Sequence, residues 1–470
     1  MTNDIKQAHQ KELFGHPVGL YILFFTELWE RFSYYGMRAI LVLFLISSSS
    51  GDNPGFGWDE GDAISLYGTY TMMVYVMSIA GGWVADKFWG QKRTVLIGGI
   101  LLCFGHGILA VEALWAFYAG LTLIVLGVGG LKPNISTMVG GLYKQGDERR
   151  DKGFTIFYIG INLGAFLSAL LVGYVGEVHG WHYGFGLAGI GMAVGQAVFM
   201  LGQKYLKGVG ESTSEMTPEE QAAKNRPLNS IEKDRMKVMF ISFLLIIVFW
   251  GAFEQAGGLM NIYTKQKTDL SLGFTIPLLD IAAIPASWFQ SVNAFFIITL
   301  GIPIASFWIW WKKIGKESSS LLKMAIGVII MGWGFLFMSA ASLEYEANGA
   351  SAMYWLVLAY LFHTVGELCA SPVALSFITK LAPLKYASLM MGVYFAATGL
   401  GNKVAGLLGE YSQSAGELEI FTGIAIFCTI VGLLVLALLK PLKRLTHGAE
   451  DKEVEGLEQE GFELADDEVI

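Results

Sequence analysis

The sequence predicts an all-α membrane protein of twelve transmembrane helices in two six-helix bundles, and three observations carry that prediction. Hydrophobic residues make up 54% of the 470 and charged residues only 15%, against roughly 25% charged in a soluble domain of ordinary composition. Most of the chain therefore has no water-facing surface to decorate. Apolar runs near or above the roughly 20 residues that cross a bilayer recur along the whole chain. One long hydrophilic stretch divides those runs into two equal sets.

The runs fall near 18–46, 63–85, 94–112, 115–141, 154–176 and 184–203, then 237–260, 288–311, 322–343, 353–379, 386–409 and 418–440. The interruption, 204–236, holds Glu211, Ser212, Thr213, Ser214, Pro218, Glu219 and Glu220. The expected organisation is a first bundle over 1–203, a linker over 204–236, a second bundle over 237–445 and an acidic, disordered tail over 446–470. Six spans, a polar linker and six more spans is the layout of two-bundle secondary transporters. The first run is long and carries Glu27, Glu30 and Arg31, so it reads as a retained helix and not as a signal peptide.

Loop charge sets the expected orientation. The stretch 49–62 contains Asp52, Asp59, Glu60 and Asp62 but no Lys or Arg, and the loops near 112–115, 177–183, 344–352 and 410–417 also lack both. The alternate loops are basic, with Lys87, Lys92 and Arg93, then Arg149, Arg150 and Lys152, then Lys312, Lys313 and Lys316. The positive-inside rule places both termini and the linker on the cytoplasmic side of the membrane. Lys265 and Lys267, in the 261–287 loop, break the pattern. Cys103, Cys369 and Cys428 lie in apolar runs, so no disulfide or cysteine metal site is expected. There is no basic footprint for nucleic acid.

The first span contains charges that lipid cannot accept. On a helix, Glu27, Glu30, Arg31, Tyr34 and Arg38 fall within about 100° of one another and form a stripe about 16 Å long. Each charge at membrane depth costs at least about 2.5 kcal/mol on insertion scales. Two readings are open: a salt-bridge cluster that locks the bundle, or a stripe facing a water-filled cavity. Isolated charges recur in other spans as Lys132, Glu254 and Glu367. Buried acids and bases that exchange partners are what proton coupling needs, because a salt bridge that breaks and re-forms moves a proton affinity. His106 reads as a hydrogen-bonded core residue. His363, one turn before Glu367, reads as a packing residue. Lys403 reads as a side chain reaching for an interface.

These motifs resemble the proton-dependent oligopeptide transporter (POT/PTR) family, within the major facilitator superfamily. Glu27-x-x-Glu30-Arg31, followed by Phe32, Tyr34, Tyr35 and Gly36, matches its span-one signature. Gly82-Trp83-Val84-Ala85-Asp86-Lys87 resembles the superfamily's loop between spans two and three. The fifth-span stretch Phe154 to Gly164, the sixth-span entry Gly180 to Gly186, Trp288 to Asn293, and Gly366-Glu367-Leu368 through Ser371-Pro372 complete the set.

The resemblance implies a proton-coupled symporter that imports di- and tripeptides by alternating access, not an enzyme, with no cofactor beyond the proton gradient and with a monomer as the working unit. It implies proton coupling by Glu27, Glu30, Arg31 and Lys132, with Glu254 and Glu367 in support. Arg31 and Lys132 would draw the peptide carboxylate, and Glu367 its ammonium. Asn162 and Asn293 would meet peptide termini or backbone. Tyr34, Tyr35, Tyr75, Tyr158 and Trp250, with Ser371 and Tyr394, would wall the pocket. Arg38 with Glu254 would form the outer gate pair and Lys132 with Glu367 the inner one. The sequence departs from the family's pattern in three ways: Tyr67 is followed by Gly68 where animal relatives carry a histidine, Tyr394 stands where span eleven often has a tryptophan, and the 204–236 linker leaves no room for the two extra helices that many bacterial relatives insert. The retained Glu367 disfavours a simple anion such as nitrate as cargo. A drug antiporter and a passive channel are further rivals.

Overall fold

The computed structural model describes residues 11–143, 147, 149–211, 227–277, 279–383 and 386–449. The first six long helices are α1 (Val18–Ile46), α2 (Glu60–Val84), α3 (Gly90–Leu109), α4 (Leu114–Gly141), α5 (Arg149–Tyr174) and α6 (Trp181–Gly202). The second set is α7 (Ser230–Phe253), the short α8 (Leu259–Lys267), α9 (Phe289–Lys313), α10 (Ser320–Asn348), α11 (Met353–Leu381), α12 (Ala387–Ala415), α13 (Glu417–Ala437) and the short α14 (Leu439–Leu445). Among the described residues, nine helical stretches are long and apolar enough to cross a membrane, and one of them, Glu60–Leu109, runs through both α2 and α3. The two long helices outside that set are α1, with its charged stripe, and α12, which carries Lys403 and Glu410 among glycines.

Helix ends follow local chemistry. Asp59 caps α2 by accepting from the Gly61 amide at 2.9 Å, and Glu60 and Asp62 complement the positive end of the helix dipole. Asn229 and Glu232 form a reciprocal capping box. That box starts α7 at Ser230, inside the stretch expected to be linker. α10 stops at Gly349, whose φ of 79° suits a left-handed cap.

Within the first half, α1 packs on α5 and α6, α3 lies between α4 and α6, and α2 lies on α4. Within the second, α10 lies between α11 and α13, and α7 packs on α12. Two seams join the halves: α2 against α12, and α5 against α9. At the first seam the backbones nearly touch. A Cβ on Gly68 would stand 2.7 Å from Gly406 Cα and 2.9 Å from Asn402 O. No histidine fits there while the helices keep this spacing.

Three features differ from the sequence reading. The seventh span is not one helix to residue 260: α7 gives way at Glu254–Ala256 to a 3₁₀ turn and then to α8. Gly258 makes the break, its φ of -105° and ψ of -105° lying outside the helical region, and Gly257 sits directly against the Tyr67 hydroxyl with no room for a side chain. The 261–287 stretch is structured, with α8 followed by a hairpin of β1 (Ser271–Ile276) and β2 (Ile281–Ala283). Its two lysines are neutralised: Lys265 pairs with Glu177 at 2.8 Å and Lys267 with Glu417 at 2.6 Å. Residues 212–226 of the linker and 450–470 of the acidic tail lie outside the described residues.

Candidate functional site

A cavity of about 180 Å³ lies between the two halves. Its lining repeats at helical spacing on each element. α1 contributes Tyr35 and Arg38, and α5 contributes Tyr158, Ile161, Asn162, Ala165 and Ala169. From the second half come Gln290, Asn293, Ala294 and Ile297 on α9, and Tyr360, Glu367 and Ser371 on α11. Each series follows the three- and four-residue steps that keep side chains on one helix face.

The cavity is closed toward the acidic end of the bundle by a buried ion pair. Arg38 Nη1 and Nη2 donate to Glu254 Oε1 and Oε2 at 3.2 and 3.1 Å, a two-pronged contact between the halves. The Tyr67 hydroxyl donates to Glu254 Oε2 at 3.1 Å, and the guanidinium also lies 5.3 Å from the Tyr35 ring centre. The helix break after Phe253 is what turns Glu254 to this position, one residue beyond α7.

Toward the basic end, Arg31 Nε stands 2.7 Å from Glu27 Oε1 and 2.8 Å from Glu30 Oε2. All three residues are buried. Glu27 Oε2 and Glu30 Oε1 meet no hydrogen-bond donor among the described residues. One guanidinium thus faces two carboxylates, and the cluster has acceptor capacity to spare. Lys132 Nζ lies 3.7 Å from the centre of the Tyr75 ring, which itself lines the cavity. Glu367 Oε2 accepts from Asn293 Nδ2 at 2.8 Å, and that amide also donates to Thr364 Oγ1 at 3.0 Å.

The expected Lys132–Glu367 pair is therefore not made here: the lysine is held by an aromatic face and the acid by an amide. A carrier that seals one side at a time needs one gate pair open while the other is shut. Ten of the expected residues line the cavity: Tyr35, Arg38, Tyr75, Tyr158, Asn162, Trp250, Glu254, Asn293, Glu367 and Ser371. Tyr34 is buried behind them with an unpartnered hydroxyl. Tyr394 stands in an adjoining apolar recess with Phe249, Met324 and Val328, which shares Trp250 and Ser371 with the cavity.

Gln290, Phe253 and Tyr360 are lining residues that sequence reasoning did not select. Tyr360 lies seven residues before Glu367, two turns along the same face, and that spacing was the available signal. His106 differs from its expectation: both ring nitrogens are buried without a hydrogen-bond partner among the described residues. His363 packs on Phe335, ring centres 4.4 Å apart. Lys403 does not reach for an interface; it donates to Thr69 Oγ1 at 2.8 Å, across the α2–α12 seam.

A site between two halves, shut toward one end by side chains from both, is built for a carrier and not for an open pore: the class is secondary membrane transporters. The POT family model matches residues 92–224 and 225–419, and the chain belongs to that family. It is 35% identical to the uncharacterized transporter YclF of Bacillus subtilis, over 94% of this chain and 98% of that one. It is 34% identical to the di-/tripeptide transporter of Lactococcus lactis subsp. cremoris, over 93% and 98%. Among solved structures it resembles the peptide transporter POT in complex with sulfate, with TM-score 0.86, 33% identity and coverage of 95% and 99%. A POT family transporter in complex with a thioalcohol conjugated peptide matches at TM-score 0.85 and 29% identity, over 93% and 99%. The fold is accordingly the two-bundle major facilitator arrangement.

Proposed function

We propose that this chain is a proton-coupled symporter that imports di- and tripeptides by alternating access. The observation that carries the reading is the placement of Glu367 and Asn293 on the second half of the cavity, opposite Asn162 and the Tyr75 ring that holds Lys132 on the first. A zwitterionic peptide needs an acid at one end, a base at the other and adaptable aromatic walls between. Relatives named as di-/tripeptide transporters support the cargo.

In this reading Glu367 meets the peptide ammonium, Arg31 and Lys132 draw its carboxylate, and Asn162 and Asn293 meet its backbone. Tyr34, Tyr35, Tyr75, Tyr158 and Trp250, with Ser371 and Tyr394, accept its side chains. Glu27 and Glu30 share Arg31, so protonating one carboxylate changes what the guanidinium can offer the substrate. Arg38–Glu254 is the outer gate, and Lys132 and Glu367 approach each other when the inner side shuts. The halves, 1–203 and 237–445, rock as bodies about the cavity. The acidic end faces outward and the basic end and both termini face the cytoplasm, with a single chain as the unit in the inner membrane. The proton gradient is the sole energy source.

The test is uptake of labelled dialanine into liposomes holding the purified protein, with an inward proton gradient and with that gradient collapsed. Accumulation that vanishes with the gradient supports the symporter. Equal uptake in both overturns the coupling, and no uptake in either overturns the peptide cargo.

A further inference from the structure

At the acidic end of the α5–α9 seam a single carboxylate from the first half is held by groups from the second. α5 ends in a π turn, Val175–His179, which carries Glu177 past the end of the helix. Glu177 Oε1 accepts from the Ser287 amide at 2.8 Å and from the Ser287 hydroxyl at 2.7 Å. Its Oε2 accepts from Lys265 Nζ at 2.8 Å. The Glu177 side chain is 3% exposed, although it lies on a connecting turn.

The surrounding contacts also cross between the halves. Trp288 Nε1 donates to Leu170 O at 2.9 Å and the Tyr174 hydroxyl to Leu279 O at 2.8 Å. Gly173 lies directly beneath Ser287, where a Cβ would strike the hydroxyl. By contrast Lys267, two residues beyond Lys265, pairs with Glu417 inside the second half.

We propose that Glu177 is a latch that holds the two halves together at their acidic end, and that releasing Lys265 and Ser287 from it is a required step in opening that end. The chemistry fits a release and not a permanent brace. All the groups involved are strongly hydrated when free, so water replaces each bond once the seam parts. A desolvated carboxylate with three donors is specific in register, and a rotation that carries α8 and the entry to α9 away from α5 breaks all three contacts together. The latch stands apart from the Arg38–Glu254 pair and shares no residue with it. It depends on the two halves moving and not on what they carry.

The test is a distance measurement that needs no substrate. Spin labels are placed at Glu112, in the α3–α4 turn, and at Glu346, near the end of α10, after Cys103, Cys369 and Cys428 are replaced by alanine. Pulsed dipolar spectroscopy is then run on the full chain in nanodiscs. Glu177→Gln keeps an acceptor for Ser287 but loses the ion pair, whereas Glu177→Ala loses everything. The long-distance population rises about threefold for Glu177→Gln, the size of an ion pair whose lysine is half exposed, and about tenfold for Glu177→Ala, which also loses the hydrogen bonds from Ser287. Lys267→Gln leaves it at the wild-type level, because that pair lies within one half. Distance distributions unchanged in both Glu177 variants, or an equal rise in Lys267→Gln, would overturn the latch whatever the cargo proves to be.

Discussion

Gly68→Ala tests the α2–α12 seam with one methyl group. Its Cβ would lie 2.7 Å from Gly406 Cα, 2.9 Å from Asn402 O and 3.0 Å from Gly406 N. Carbon atoms rest at about 3.5 Å or more, so at the closest contact the helices must part by 3.5 less 2.7, about 0.8 Å. Overpacking of this kind costs about 1–3 kcal/mol. Alanine's better helix propensity, worth about 1 kcal/mol, is present in every conformation of α2 and cancels between them. Gly68 is eight residues into α2, about 12 Å from its acidic end. The penalty therefore falls on the conformation shut at that end and moves the equilibrium roughly 5- to 150-fold toward opening there. In proteoliposome uptake, KM for dialanine falls because the binding-competent state is more populated, and kcat falls because closure is harder. Gly406→Ala gives a smaller shift, its nearest contact being 2.9 Å. Gly82→Ala, on the same helix with nothing within 4 Å, gives none. Kinetics for Gly68→Ala that match those of Gly82→Ala would refute the reasoning.

Three further outcomes follow from the cavity. Glu367→Gln removes the charge proposed to meet the substrate ammonium and weakens dipeptide binding by roughly 10- to 100-fold in titration calorimetry; unchanged affinity would remove that role. Glu27→Gln combined with Glu30→Gln abolishes gradient-driven accumulation but leaves peptide counterflow, and retained accumulation would place coupling elsewhere. Glu254→Gln strands the buried Arg38 charge, at a cost of about 3–5 kcal/mol to the conformation shut at the acidic end. It shows as a lower melting temperature in detergent, and a melting curve superimposable on that of the parent would mean the pair carries no weight.

The helices were legible because lipid imposes length and composition directly. The first span was expected at 18–46 and α1 runs from Val18 to Ile46. The charged stripe was legible for the same reason, since Glu27, Glu30 and Arg31 have no business in hydrocarbon unless they meet one another or water. Pairings across the chain were harder to read. Lys265 looked like an exception to a charge rule, and only folding brings it to Glu177. Lys132 was expected opposite Glu367, and nothing in the sequence shows that in this conformation the Tyr75 ring holds it instead. Tyr360 was missed although its seven-residue spacing puts it on the face of Glu367, because an aromatic residue in an apolar run does not by itself stand out from lipid-facing or core neighbours. The break after Phe253 was written in Gly257–Gly258, but paired glycines inside spans are common here and rarely end one.

The paired lysines of α8 also impose an order on how the chain can be made. Glu177 is 88 residues upstream of Lys265, so that acid has already left the ribosome when its lysine emerges. Glu417 is 150 residues downstream of Lys267. At roughly 5–20 residues per second, Lys267 waits about 8 to 30 s for its partner. During that interval the hairpin after α8 has its upstream anchor and lacks its downstream one. The last loop to be synthesised thus completes a contact begun in the middle of the chain, which makes translation speed through the final spans a variable in assembling the carrier.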